Sequence, residues 1–233
     1  MAYSDAKRPK VAVVGIGLLG LSLSGELARC GCDVRVYDKN EANLQEVHHR
    51  LEEQQSQLRS EGLLAEDDSF SVITESHLSC AVMDADFVFE AIIENLSIKN
   101  NVLKNISLMC SEDTVVCSNT LTLNLTEVFS DMDHPQRTLG VRFLLPVYFI
   151  PIVEVTAHIQ TSPSAINKVE NLLRFIKKES FGRTVGELPR KLTAYESRNM
   201  QLVTVGKAPD TVARPHDVVA KESPDARFRH GHC

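Results

Sequence analysis

A doubly wound α/β domain with a mostly parallel sheet is the fold class that residues 9–186 predict. Short apolar runs alternate with helical stretches, the connections are short, and a glycine-rich turn joins the first run directly to a helix. Parallel strands covered on both faces read as such continuous apolar runs, with the helices supplying the crossovers.

Val11–Gly15 is an apolar strand closed by glycine, and Leu18–Gly31 reads as a helix. In it Leu19, Leu23, Leu27 and Cys30 recur at three- and four-residue steps. Asp33–Tyr37 alternates as a second strand, Glu41–Glu61 is a polar helix, and Ser71–Thr74 is a third strand. A short helical segment, Leu78–Met83, precedes the fourth strand, Asp86–Ala91. Leu96–Cys110 is a helix, Thr114–Cys117 a fifth strand and Asn124–Phe129 a short helix. Thr138–Phe143 and Ile152–Thr156 read as strands. Pro163–Lys178 closes the domain as an amphipathic helix carrying Ile166, Val169, Leu172, Leu173 and Ile176.

The 233 residues are 43% hydrophobic and 24% charged, enough for one sizeable core. No run approaches the roughly 18 apolar residues of a membrane-spanning helix, so no membrane partner is expected. The formal net charge of -6 argues against a nucleic-acid backbone as partner, which needs a basic face. Met1–Lys10 lacks the apolar stretch of a secretory signal, and a cytoplasmic protein is expected. Cys30, Cys32, Cys80, Cys110, Cys117 and Cys233 show neither C-x-x-C spacing nor histidines at ligand intervals. They read as reduced core thiols, with no metal site.

The strongest functional signal is Gly15-Ile-Gly17-Leu-Leu-Gly20 at the strand–helix junction. Gly15 permits the tight turn, Gly17 lets backbone approach a pyrophosphate, and Gly20 lets helix and strand pack closely. The N–H groups at Leu18 and Leu19 open the helix, where free donors and the helix dipole favour phosphate. Asp38 ends the second strand, eighteen residues after Gly20. A carboxylate there accepts from the adenine ribose hydroxyls and repels a 2′-phosphate, which favours NAD over NADP even with Lys39 following.

From Val11 to about Leu188 the chain resembles the NAD-binding domain of the 3-hydroxyacyl-CoA dehydrogenase family. Beyond the glycine turn and Asp38, the resemblance runs through the stretch from Ala85 to Lys99 and through Ser118-Asn-Thr120. It continues in Gly140-Val-Arg-Phe-Leu-Leu-Pro146 and Val153-Glu-Val155. It implies NAD-dependent oxidation of an L-3-hydroxyacyl-CoA to the 3-ketoacyl-CoA in fatty-acid metabolism, with acyl-CoA as a partner. It also places Glu94, Lys99 and Asn119 at the cofactor, Asn119 facing both nicotinamide and substrate.

The catalytic positions depart from that pattern. The family's general-base histidine aligns with Arg142, and Glu154 falls on the carboxylate that orients the histidine. The serine that binds the substrate oxygen is Leu121, with Thr122 adjacent, and the asparagine before the proline is Leu145. A useful base has a pKa near working pH, and its loss costs about 10²–10⁴ in rate. A guanidinium stays protonated and carries no acceptor. Arg142 is therefore expected to form a charged pair with Glu154, and turnover to be weak or lost.

Residues 187–233 form a different region, rich in proline and polar residues and poor in large aliphatics, which predicts a disordered tail. The family's C-terminal helical domain, which closes over acyl-CoA and forms the dimer interface, has no visible counterpart there. Oligomeric state stays open on this ground. His48-His49 and His134-Pro135 read as a solvated face and a turn, and His230-Gly-His232-Cys233 as terminal residues without a metal role. Three readings remain: a dehydrogenase of altered rate or substrate, a non-catalytic NAD(H)-binding or sensing protein, and a truncated inactive isoform.

Overall fold

The computed structural model describes residues 8–66 and 68–183. The tail expected over 187–233, and the domain boundary at 186, lie outside the described residues. Eight strands form one sheet: β1 (Lys10–Val14), β2 (Asp33–Tyr37), β3 (Ile73–Thr74), β4 (Phe87–Glu90), β5 (Val115–Ser118), β6 (Thr138–Phe143), β7 (Ile152–Thr156) and β8 (Glu179–Arg183). Their order is β3-β2-β1-β4-β5-β6-β7-β8. All neighbours are parallel except β6 and β7, which pair antiparallel. The helices are α1 (Leu18–Arg29), α2 (Glu41–Ser60), α3 (Leu78–Val82), α4 (Leu96–Met109), α5 (Leu125–Val128) and α6 (Pro163–Phe175).

Strand alternation sorts the core into two layers. Val11 and Val13 of β1, Phe87 and Phe89 of β4, and Val115 and Cys117 of β5 face α1, α2 and α6. Ala12, Val14, Val88 and Val116 face the other way, against α3, α4 and α5. Local chemistry fixes the helix starts. Asn40 caps α2 by accepting from Ala42 N at 3.1 Å, and Asn95 caps α4 by accepting from Ile98 N at 3.1 Å. Ser162 caps α6 ahead of Pro163, a residue suited to the first helical position.

Two elements differ from the sequence reading. The last helix ends at Phe175 rather than Lys178, and β8 follows it. Glu179-Ser-Phe-Gly-Arg183 has no alternating apolar pattern, so its strand form comes from the ladder with β7 and not from local preference. Lys178 is buried ahead of it, donating to Glu26 Oε1 at 2.9 Å and to the carbonyls of Val147 and Ile150 at 2.6 and 3.0 Å. The third strand is only Ile73–Thr74. Among the described residues five cysteines are free thiols: Cys32 and Cys117 are buried, Cys30 and Cys110 are half-buried and pack against the core layers, and Cys80 is half-buried. No helix among the described residues is long and apolar enough to cross a membrane.

His158 pins the loop after β7. Its Nε2 lies 2.7 Å from Thr138 Oγ1, which itself donates to Pro135 O at 2.8 Å. Nε2 must then carry the proton, and Nδ1 is the acceptor facing Gln160 N at 3.4 Å. Burial lowers the imidazole pKa against the upward pull of the Pro135 and Thr138 backbone. The unfolded chain therefore takes up this proton before the folded one. Stability from the neutral ring is present above about pH 6.5 and is lost as pH falls through the folded pKa. Urea denaturation should show this acid limb, and His158→Gln should flatten it; an unchanged limb assigns the loss to other groups.

Candidate functional site

At the C-terminal end of β1 the chain turns through Gly15, whose φ of 98° is left-handed. A Cβ there would lie 2.8 Å from Ala91 O, and one on Gly20 would lie 1.9 Å from Gly15 O. These two glycines are demanded by packing. Gly17 is different: it has φ -69°, and a Cβ on it would meet nothing within 4 Å. Gly17 has open space above it, and it caps α1 with no side chain to occupy the first-turn donors. The first backbone bond into the helix is Leu21 N to Gly17 O at 3.0 Å, so the N–H groups of Leu18, Leu19 and Gly20 precede it. No acidic residue sits in that first turn.

Asp38 is tied to the turn. Its Oδ2 accepts from Ile16 N at 2.7 Å and its Oδ1 from Asn40 N at 2.8 Å. Each oxygen keeps a further lone pair. From α2, Arg50 donates to Ile16 O at 3.3 Å, so Ile16, between two glycines, is held at both its N–H and its carbonyl. An open cradle, free helix donors and a fixed carboxylate fit the pyrophosphate and ribose of a dinucleotide.

The next strands carry a buried charge network. Lys99 and Glu90 are 1% and 0% exposed, and Lys99 Nζ lies 2.6 Å from Glu90 Oε1. The same ammonium donates to Ile92 O at 3.3 Å and faces Glu94 Oε2 at 3.6 Å. Ser118 Oγ donates to Glu90 Oε2 at 2.5 Å. Lys99 thus reaches the edge of the sheet through two carboxylates, with its ammonium turned into the protein. Glu94 Oε1 accepts from Thr120 Oγ1 at 2.6 Å, from the N–H groups of Leu121 and Thr122 at 2.8 Å each, and from Thr122 Oγ1 at 3.2 Å. Burial pushes the Glu94 carboxyl up, but those hydrogen bonds and Lys99 outweigh it and hold the pKa below its ordinary value. The Thr122 hydroxyl therefore points at Glu94.

Asn119 accepts from Phe143 N at 2.7 Å through Oδ1, which orients its amide donors away from β6. On β6 and β7, Arg142 and Glu154 stand directly opposite in register. Arg142 Nη2 lies 2.7 Å from Glu154 Oε2, and the side chains are 7% and 4% exposed. Leu121 is exposed, Leu144 buried and Leu145 partly buried, so apolar side chains stand around this end of the site.

The structure brings the predicted residues to one edge in three groups. Gly15 to Gly20 and Asp38 follow β1 and β2; Glu94, Lys99, Asn119 and Thr122 follow β4 and β5; Arg142 and Glu154 lie on β6 and β7. Glu90, Ser118 and Thr120 lie in stretches that carry the family resemblance, but the sequence reading gives them no role in the site. A lone acid ending the apolar strand Phe87-Val-Phe-Glu90, nine residues before Lys99, is the signal that could have found them. A groove of about 1050 Å³ opens at the opposite end, where Lys10 and Asp33 begin their strands, and it holds none of these residues.

Fold and turn together define a Rossmann-type dinucleotide-binding domain. The family profile described as 3-hydroxyacyl-CoA dehydrogenase, NAD binding domain, matches residues 10–181. The chain belongs to this family, and its cofactor is NAD. It is 31% identical over 182 residues to a probable 3-hydroxybutyryl-CoA dehydrogenase of Bacillus subtilis, covering 77% of this chain and 62% of that protein. A 5-formyl-3-hydroxy-2-methylpyridine 4-carboxylate 5-dehydrogenase of Mesorhizobium japonicum is 29% identical, covering 71% of this chain and 54% of that one. A crystal structure of the enzyme of that activity, described as an NAD+ dependent dismutase, superposes with TM-score 0.71 at 26% identity. The match covers 85% of this chain and 63% of that one. The matches thus cover between half and two thirds of the length of these two curated relatives.

The two kinds of glycine should separate on mutation. Gly20→Ala forces backbone apart and should cost at least about 1–3 kcal/mol in urea denaturation. Gly17→Val should leave the unliganded melting temperature nearly unchanged and abolish its rise with NADH. A normal NADH response in Gly17→Val would remove the cradle from the site.

Proposed function

We propose that this chain binds NAD(H) across the C-terminal edge of its sheet, and that proton transfer in the family's reaction is impaired in it. The reaction is the oxidation of an L-3-hydroxyacyl-CoA to the 3-ketoacyl-CoA, in which bound NAD supplies the hydride acceptor. The name of the Bacillus subtilis relative supports this substrate class.

In this reading Asp38 accepts from the adenine ribose, the N–H groups of Leu18, Leu19 and Gly20 face the pyrophosphate, and Asn119 offers amide donors to the nicotinamide end. The substrate hydroxyl must give up a proton as hydride leaves its carbon. Arg142 cannot take it, because a guanidinium has no acceptor. Glu154 is buried and committed to Arg142 at 2.7 Å, and that pair is the single observation that carries the reading. The side chains of Leu121 and Leu145 offer the substrate oxygen no hydrogen bond. The five free cysteines among the described residues fit a reducing compartment, and we place the protein in the cytoplasm on that basis.

NADH fluorescence on the purified chain tests the binding half: enhancement should saturate, and NADPH should bind about tenfold weaker because Asp38 repels its 2′-phosphate. Arg142→His tests the chemical half. With Glu154 opposite to orient the ring, it should raise reduction of a short 3-ketoacyl-CoA by about 10² or more and introduce a pH limb near the histidine range. No NADH enhancement sinks the first claim, and no gain in Arg142→His sinks the second.

A further inference from the structure

We propose that the groove at the amino ends of the strands is a second ligand site, which takes the phosphate group of a small organic phosphate. The inference goes beyond the NAD(H)-binding reading and does not rest on it. At about 1050 Å³ the groove is large enough for a metabolite, and it lies at the end of the sheet away from the glycine turn. One wall forms where the last turns of α2 meet the segment 68–71, ahead of β3. Gln55 fixes that junction by donating to Phe70 O and accepting from Phe70 N, at 3.2 Å each. Arg59, one turn further along α2, adds a third tie by donating from Nη2 to Asp68 O at 2.7 Å.

This stitching gathers donors that the protein does not use. Arg59 Nε is buried with no hydrogen-bond partner, and no carboxylate among the described residues pairs with its guanidinium. Buried polar groups are almost always paired, so an open N–H on a residue lining a groove marks where an acceptor from outside the chain fits. Ser56, one turn before Arg59, and Ser69 and Ser71, on either side of Phe70, line the same groove. Their hydroxyls make no hydrogen bond among the described residues. A guanidinium beside free hydroxyls is a donor set suited to phosphate oxygens. The remaining charges favour an anion. Arg8 stands 3.8 Å from Asp33, and Arg35 is held by Cys80 O at 2.8 Å and Glu75 at 3.8 Å. Lys10 lines the groove and, among the described residues, has no ion pair. Glu52 and Asp84 also line it but are exposed, where water and salt screen them. Two unmatched cations, one with a buried open donor, therefore face only solvated carboxylates.

Calorimetric titration with inorganic pyrophosphate, in a phosphate-free buffer, tests the proposal. It is made in Gly17→Val, whose side chain fills the cradle at the glycine turn, so that saturable binding reports another site. Pyrophosphate should bind that variant with a saturating isotherm. Adding Arg59→Gln should weaken binding about tenfold, the effect of losing a charge-assisted hydrogen bond. Ser56→Asp, at an exposed position of α2, leaves the fold intact and sets an anion three residues before Arg59 on the same helix face. It should weaken pyrophosphate by about tenfold or more through pairing with Arg59 and repulsion of the ligand. No saturable binding up to about 10 mM would overturn the proposal. Unchanged affinity on adding either Arg59→Gln or Ser56→Asp would overturn it as well, since the anion would then sit elsewhere on the chain.

Discussion

The ion pair between Glu90 and Lys99 is the interaction on which the functional edge depends. Both side chains are fully buried, where a charge without a partner is costly, and removing one partner of such a pair costs about 3–5 kcal/mol. Every polar atom around the pair is accounted for by a neighbour. Ser118 and Ile92 N complete Glu90, and Ile92 O and Glu94 complete Lys99. Because Glu90 ends β4, Ser118 ends β5 and Lys99 lies one turn into α4, a single pair registers three elements at the same edge. The cofactor loops are built on that registration.

Beside it, a steric rule fixes the other half of the site. With 1.9 Å between a virtual Gly20 Cβ and Gly15 O, α1 can start directly over the end of β1 only if both positions are glycine. That close start aims the free donors of the helix at the space above Gly17. Asp38 then locks the turn through Ile16 N, so one carboxylate both shapes the cradle and remains available to a ribose.

Much of this was legible in the sequence, for physical reasons that differ by element. The strands β1, β4 and β5 are buried on both faces, and their unbroken apolar runs show it. The glycine turn is legible because sterics leave no alternative residue. Strand β8 was not, since Glu179-Ser-Phe-Gly-Arg183 is held by its ladder with β7 and carries no pattern of its own. The role of Lys99 was hidden for a similar reason: its position matched the family, but only the fold shows its ammonium turned inward onto Glu90. Pairing of Arg142 with Glu154 was legible through the family resemblance, which put the two positions beside each other; the register of β6 and β7 then sets them directly opposite.

On the proposed reading, that last pair separates holding the nucleotide from using it: a guanidinium matched to its carboxylate at 2.7 Å would leave binding intact and proton transfer without a base. Single-turnover absorbance of the unmutated protein–NADH complex, mixed with excess short-chain 3-ketoacyl-CoA from about pH 6 to about pH 9, tests this most directly. The account predicts that NADH stays bound and its absorbance stays flat at every pH. A fast decay with a limb in the histidine range would show that a working base exists in the site and contradict it.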